Sequence, residues 1–260
     1  KLMLQNNIIK VAKETISNEA RAIEELINLL DQDFTAAVEH IYNAKGRVII
    51  TGIGKSAIIA TKIVATLNST GTPAIFMHAA DAIHGDLGTI QEDDVVICIS
   101  KSGNTPEIKV LVPLIKNFKN TLIAITGNKD SFLGKQSDYV LNAYVEKEAC
   151  PNNLAPTTST TAQLVMGDAL AVSLLHLRGF SSKDFAKYHP GGALGKKLYL
   201  RVSDITKENQ KPQVSPDTNI TDVIVEISEK MLGVTAVVEE NKIVGIITDG
   251  DLRRMITTNK

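Results

Sequence analysis

The run Arg47-Val48-Ile49-Ile50-Thr51-Gly52-Ile53-Gly54-Lys55-Ser56 decides the fold. A short β-favouring stretch stops at a glycine turn, and from Lys55 to Asn68 the apolar positions take up helical spacing. The unit recurs downstream. Val95-Val96-Ile97-Cys98-Ile99 runs into the polar turn Ser100-Lys101-Ser102-Gly103-Asn104-Thr105, and a helix opens at Pro106. Leu122-Ile123-Ala124-Ile125 ends in Thr126-Gly127-Asn128, and shorter strand candidates lie near 74–77 and 139–141. Continuously apolar strands alternating with helices predict a parallel sheet covered on both faces. The expected fold class is therefore α/β, a doubly wound parallel five-stranded sheet.

Outward from this centre, residues 1 to about 44 have helical periodicity, with Ile23, Leu26, Leu29 and Leu30 among charges. A long helix is expected from about Ser159 to Arg178, closed by Gly179, and a shorter one from Ser181 leads to His189-Pro190-Gly191-Gly192. After Arg201 a polar stretch to about Pro216 marks a boundary. Beyond it the pattern reads helix (220–231), strand (235–238), strand (242–247) and helix (249–255). The expected division is an N-terminal helical segment (1–44), the main α/β domain (45–201) and a small α+β unit (202–260).

The 260 residues are 43% hydrophobic and 22% charged with a formal net charge of -1, a globular composition. Scattered Lys and Arg residues exclude a nucleic-acid or membrane-surface footprint and favour a small ligand. Cys98 in an apolar run and Cys150 beside a proline are expected to be a buried thiol and a loop thiol in a reducing compartment. With no signal-type N-terminus and no apolar run approaching about 18 residues, a cytoplasmic location is expected.

In an open parallel sheet, ligands bind at the carboxyl ends of strands, where helix N-termini present free N–H groups. Ser100, Ser102, Asn104 and Thr105 place hydroxyls and an amide there, and Gly103 lets the backbone approach an anion. This turn is read as a phosphate cradle, although the same hydroxyls also suit helix capping. Gly54, Lys55 and Ser56 form a second anion-facing turn. It is not a nucleotide P-loop, because Ile49 stands where the first glycine is required, and Ala57 breaks a GxGxxG pattern.

Six ordered segments carry a resemblance to the sugar isomerase (SIS) family, in its D-arabinose 5-phosphate isomerase branch. They are Gly52-Ile53-Gly54-Lys55-Ser56, His84-Gly85-Asp86-Leu87-Gly88, the 100–105 turn, Glu148-Ala149-Cys150-Pro151, Leu154 to Thr161, and His189-Pro190-Gly191-Gly192-Ala193-Leu194-Gly195. Gly233 to Val238 followed by Gly245-Ile246-Ile247-Thr248-Asp249-Gly250-Asp251 resembles a single CBS motif, where similar isomerases carry two.

The resemblance implies aldose–ketose isomerisation of ribulose 5-phosphate and arabinose 5-phosphate through an enediol, feeding Kdo synthesis for lipopolysaccharide or capsule, with no required cofactor. It singles out Lys55, Glu107, Glu148 and His189 as the catalytic set, and Gly54, Ser56, Gly71, Thr72, His78, His84, Ser100, Ser102, Gly103, Asn104 and Thr105 as substrate-binding. His78 is also a candidate ligand for an inhibitory zinc. Glu148 is the first choice as base, since its neighbours Ala149, Cys150 and Pro151 predict partial desolvation and raised basicity; His189 is the alternative. Lys55 would neutralise phosphate or enediolate charge, and Glu107, in a helix's first turn where acids are favoured anyway, would orient Lys55 or share proton transfer. The resemblance further implies a homotetramer, with His189 crossing a subunit boundary, and a nucleotide or sugar-nucleotide effector at the CBS motif. Competing readings are an isomerase of another sugar phosphate and a non-catalytic sugar-phosphate sensor.

Overall fold

The computed structural model describes residues 2–258 and divides into two compact units, one ending at Gly195 and the other beginning at Lys196. The first unit opens with α1 (Leu2–Leu26), a 3-10 turn (Ile27–Leu29) and α2 (Gln32–Asn43). The helical reading of residues 1–44 is thus interrupted. Leu30 is extended, and the Asp31 carboxylate accepts the Asp33 N–H at 3.1 Å while pairing with Lys129 at 2.5 Å. An N-cap aspartate tied to another element starts a new helix and ends the old one.

The alternating core follows: β1 (Val48–Gly52), α3 (Lys55–Ser69), β2 (Ala74–His78), α4 (Ala79–Ala82), β3 (Val95–Ile99), α5 (Pro106–Asn117), β4 (Leu122–Thr126), α6 (Phe132–Gln136), β5 (Tyr139–Asn142), α7 (Thr158–Leu177) and α8 (Ser182–Tyr188). The sheet has five parallel strands in the order β2-β1-β3-β4-β5, as the apolar runs foretell. Strand parity splits the core. Ile50, Ile97 and Ile123 face Ile63, Leu67, Leu170 and Leu174 on one side, and Ile49, Val96 and Cys98 face Ile108, Leu111 and Ile115 on the other. Each fully buried isoleucine of this kind contributes about 1.5–3 kcal/mol. Burial also pushes the Cys98 thiol up to about 12, so it stays protonated and inert.

Helix α7 corrects one expectation about the chain. Its 20 residues are long and apolar enough, by length and composition, to cross a membrane, because scattered Thr, Gln163 and Asp168 hide the run from a search for unbroken apolarity. Here Ala162, Met166, Leu170, Ala171 and Leu174 are instead packed in the core beside residues of α1, α2 and α3. A Cβ on Gly167 would stand 2.3 Å from Ile63 Cδ1, so the α3–α7 approach needs glycine. Gly179 (φ +60°) closes α7 as expected, its N–H donating to the His176 carbonyl.

Helix α9 (Ala193–Tyr199) spans the boundary between the units. The second unit then holds α10 (Val202–Thr206), β6 (Gln213–Val214), α11 (Ile220–Lys230), β7 (Val234–Glu239), β8 (Lys242–Thr248) and α12 (Asp249–Thr258). β6 is parallel and β8 antiparallel to β7. Its core is small: Val223, Ile227 and Leu252, with Val214 and Ile247 against them. A cavity of about 560 Å³ lies in this unit, with Leu232, Val234, Ala236, Val238 and Ile246 in its lining.

Candidate active site at the sheet switch point

Chain order reverses between β1 and β3, and that reversal opens a crevice beyond their carboxyl ends. A cavity of about 270 Å³ occurs there, lined among the described residues by Ile53, Lys55, Ser56, Ser100, Lys101, Ser102 and Thr105, together with Ser159, Thr160 and Gln163. Three helices begin at it. Lys55 opens α3, Thr105 is the N-cap of α5, and Ser159 and Thr160 lie in the first turn of α7. Gly54, the N-cap of α3, has no side chain, and the N-cap side chains Thr105 and Thr157 make no capping hydrogen bond, so the partial positive charge of α3 and α5 is not quenched by their own caps.

The cradle turn is rigid. Ser100 Oγ accepts the Gly103 N–H at 3.1 Å, Ser102 Oγ accepts the Asn104 N–H at 3.2 Å, and Asn104 Oδ1 accepts the Phe132 N–H at 3.0 Å. Gly103 has φ +63°, and a Cβ there would lie 2.1 Å from Ser131 Oγ. The Thr105 hydroxyl is buried without a hydrogen-bond partner, an acceptor-or-donor position lining an anion-sized cavity. Ser56 Oγ donates to Gln163 Oε1 at 3.1 Å, joining α3 to α7 across the cavity. Lys55 is exposed and, among the described residues, makes no ion pair.

Glu148 differs from expectation. Its side chain is fully buried, and its two oxygens accept Lys101 Nζ (2.6 Å), Ser159 Oγ (2.5 Å), Thr157 N (2.9 Å), Ser159 N (3.1 Å) and Thr157 Oγ1 (3.3 Å). Burial pushes the carboxyl up, but the Lys101 ammonium, the Ser159 hydroxyl and the two N–H groups together outweigh it and hold it at about 2. The raised basicity expected from the neighbours Ala149, Cys150 and Pro151 is therefore corrected: hydrogen bonding to the charged form wins over desolvation. Glu148 serves as the anion at the N-terminus of α7.

The other expected residues are more dispersed. Glu107, in the first turn of α5, is exposed and does not line the cavity. His189 ends α8, with Nδ1 2.9 Å from the Phe185 carbonyl and its ring stacked on Phe185 at 3.9 Å; it too is absent from the lining. His84 lies exposed in the turn after α4. Gly71 and Thr72 turn α3 into β2, at the amino end of the sheet. There a Cβ on Gly71 would meet the Phe180 ring at 2.8 Å, and the Thr72 hydroxyl accepts from Arg178 Nε at 3.2 Å. Within one chain these two are packing residues. His78 Nδ1 is 3.6 Å from Asp81 Oδ2, and the described residues gather no cluster of three or more His, Cys, Asp or Glu side chains able to hold a metal. Among the described residues, a zinc at His78 finds no further ligands.

Sequence reading assigned no role to Lys101, Ser159, Thr160 or Gln163. Lys101 lies within the quoted cradle turn, and Ser159 and Thr160 in the hydroxyl-rich opening of α7, so position at a strand's or helix's end was the available signal.

A doubly wound sheet with a hydroxyl turn, a lysine and converging helix N-termini at its switch point has the architecture of α/β proteins that bind anions at strand ends. The SIS domain family model matches residues 40–173 and the CBS domain model residues 202–258. The arabinose 5-phosphate isomerase KdsD of Pseudomonas aeruginosa is 50% identical over 257 residues, 98% of this chain and 79% of that protein. Its counterpart in Francisella tularensis is 52% identical over 251 residues, 95% of this chain and 77% of that protein. Among solved structures, Escherichia coli CFT073 c3406 in complex with arabinose 5-phosphate superposes with a TM-score of 0.69 at 42% identity, over 71% of this chain and 98% of that one. The sugar isomerase domain of the RpiR transcription factor from Sphaerobacter thermophilus, 18% identical with a TM-score of 0.58 over 69% of this chain and 96% of that one, shares the fold alone. The chain belongs to the arabinose 5-phosphate isomerase family of SIS-domain proteins.

Proposed function

We propose that this chain interconverts D-ribulose 5-phosphate and D-arabinose 5-phosphate through an enediol, with the phosphate held at the β1/β3 switch point. The observation that carries the reading is the cavity in which Lys55, Ser56, Ser100, Ser102 and the unpartnered Thr105 hydroxyl converge, in a chain about half identical to arabinose 5-phosphate isomerases. A dianion there gains two uncapped helix N-termini and one ammonium.

The reaction shifts one hydrogen from C1 to C2 and a hydroxyl proton from O1 to O2, and so balances without a redox cofactor. Lys55 neutralises charge on the phosphate, and the cradle fixes the distance from the phosphate to the reactive carbons. The proton transfer falls to His189, with Glu107 sharing it. His189 reaches the cavity from a neighbouring copy in a homotetramer, which accounts for a catalytic imidazole outside the lining of its own chain. The protein acts in the cytoplasm, its product supplies Kdo synthesis, and the 560 Å³ cavity of the CBS unit receives a nucleotide or sugar-nucleotide effector.

Incubation with a panel of pentose and hexulose phosphates in D2O, followed by NMR, tests the reading. Deuterium should enter C2 of arabinose 5-phosphate. Exchange confined to a hexulose 6-phosphate, or binding without exchange, would refute it.

A further inference from the structure

Two ammonium groups line the cavity, and their surroundings differ. Lys55 stands without an ion pair among the described residues beside the uncapped start of α3, a setting that suits a dianion. Lys101 is half exposed, and its Nζ lies 2.6 Å from a carboxylate whose own side chain is fully buried. The N-terminus of α7 is likewise occupied, because Glu148 accepts the Thr157 and Ser159 N–H groups. A phosphate placed at the α7 side would confront a buried negative charge. A neutral polyol that becomes anionic only in the enediolate would not, since the Lys101–Glu148 pair is neutral overall and offers free ammonium protons.

The backbone at Lys101 is fixed from the opposite side: its carbonyl accepts from Gly127 N at 3.0 Å and Thr126 Oγ1 at 3.3 Å. The side chain is thereby aimed along the cavity wall between the cradle and α7. Both oxygens of Glu148 are engaged by five donors, and the residue is not part of the cavity lining among the described residues. Whatever Glu148 does for the reaction therefore passes through Lys101 and the first turn of α7.

We propose that Lys101 is a catalytic residue that contacts the sugar oxygens at the reactive end, and that Glu148 is a positioning residue that holds its ammonium there. The inference rests on the isomerase reading above and adds to it a division of labour: Lys55 and the cradle take the phosphate, Lys101 the developing enediolate. Lys101 moves no proton in this step. It stabilises negative charge on oxygen while the proton passes between C1 and C2.

The test uses the full chain and four variants: Lys101→Met, Lys101→Arg, Glu148→Gln and the Lys101→Met/Glu148→Gln pair. Turnover of D-arabinose 5-phosphate and competitive inhibition by inorganic phosphate are measured for each. Lys101→Met should lower kcat about 100-fold while the phosphate inhibition constant changes less than about threefold, and Lys101→Arg should recover about tenfold of that loss. Adding Glu148→Gln to Lys101→Met should cost less than about threefold more, because the carboxylate acts through the missing ammonium. A Lys101→Met chain with unchanged kcat would overturn the proposal, as would a double variant that loses the product of the two single effects. A wild-type chain that isomerises no D-arabinose 5-phosphate but still binds phosphate would overturn the isomerase reading first, and the inference with it.

Discussion

The Ser159 hydroxyl donates to Glu148 Oε1 at 2.5 Å while the Ser159 N–H reaches Oε2 at 3.1 Å, so one residue of α7 grips both oxygens of a buried carboxylate. The carboxyl is held at about 2 against an ordinary 4.5. A folded-state value below the unfolded one stabilises the protein above pH 4.5, and that contribution is lost as pH falls towards 2. The magnitude is on the order of 3 kcal/mol. Urea unfolding between these limits should show the wild type losing stability with acid, and Glu148→Gln starting lower with a shallower fall. Equal slopes would remove Glu148 as the acid-sensitive anchor.

Thr105→Val separates binding from stability. The hydroxyl is buried and unmet, so replacing it with a methyl should leave stability unchanged or raise it by up to about 1 kcal/mol. Inhibition by inorganic phosphate should weaken by about tenfold, since one hydrogen bond to the anion is lost. Unaltered inhibition would place the phosphate away from α5.

Gly103→Ala should damage the cradle itself. The positive φ and the 2.1 Å approach to Ser131 Oγ act together, and the loss should exceed about 2 kcal/mol. Thermal melts would register it, and KM for the sugar phosphate should rise more than kcat falls.

Gly167→Ala probes the helix pair behind the site. Its Cβ would overlap Ile63, which is fully buried, at a cost of about 1–3 kcal/mol. Ile63→Val in the same chain should return part of that stability, measured by denaturant unfolding.

Much of this architecture was legible in residue order. β1, β3 and β4 are buried at every position, and a strand covered on both faces must be apolar throughout, which Val95 to Ile99 and Leu122 to Ile125 are. The break at Leu30-Asp31 escaped the periodicity because Leu26, Leu29 and Leu30 keep helical spacing up to it, and only the folded chain shows Asp31 capping α2. The cradle residues Ser100, Ser102 and Thr105 could be found because strand ends in a parallel sheet have a fixed meaning. Gly71 and Thr72 came from resemblance alone, and topology puts them at the sheet's other end. For Glu148 the flanking residues misled: its basicity is set by Lys101 and Ser159, which only the folded chain brings beside it.

The bond between Ser56 and Gln163 joins residues 107 positions apart. A third of the cavity wall, Pro156 to Gln163, is therefore added only after the whole five-stranded sheet has left a ribosome. The cavity closes when α7 docks, whereas turnover waits for His189, further along the chain, so a phosphate-binding assay on translating chains would double as a clock for completion of the sheet's outer layer.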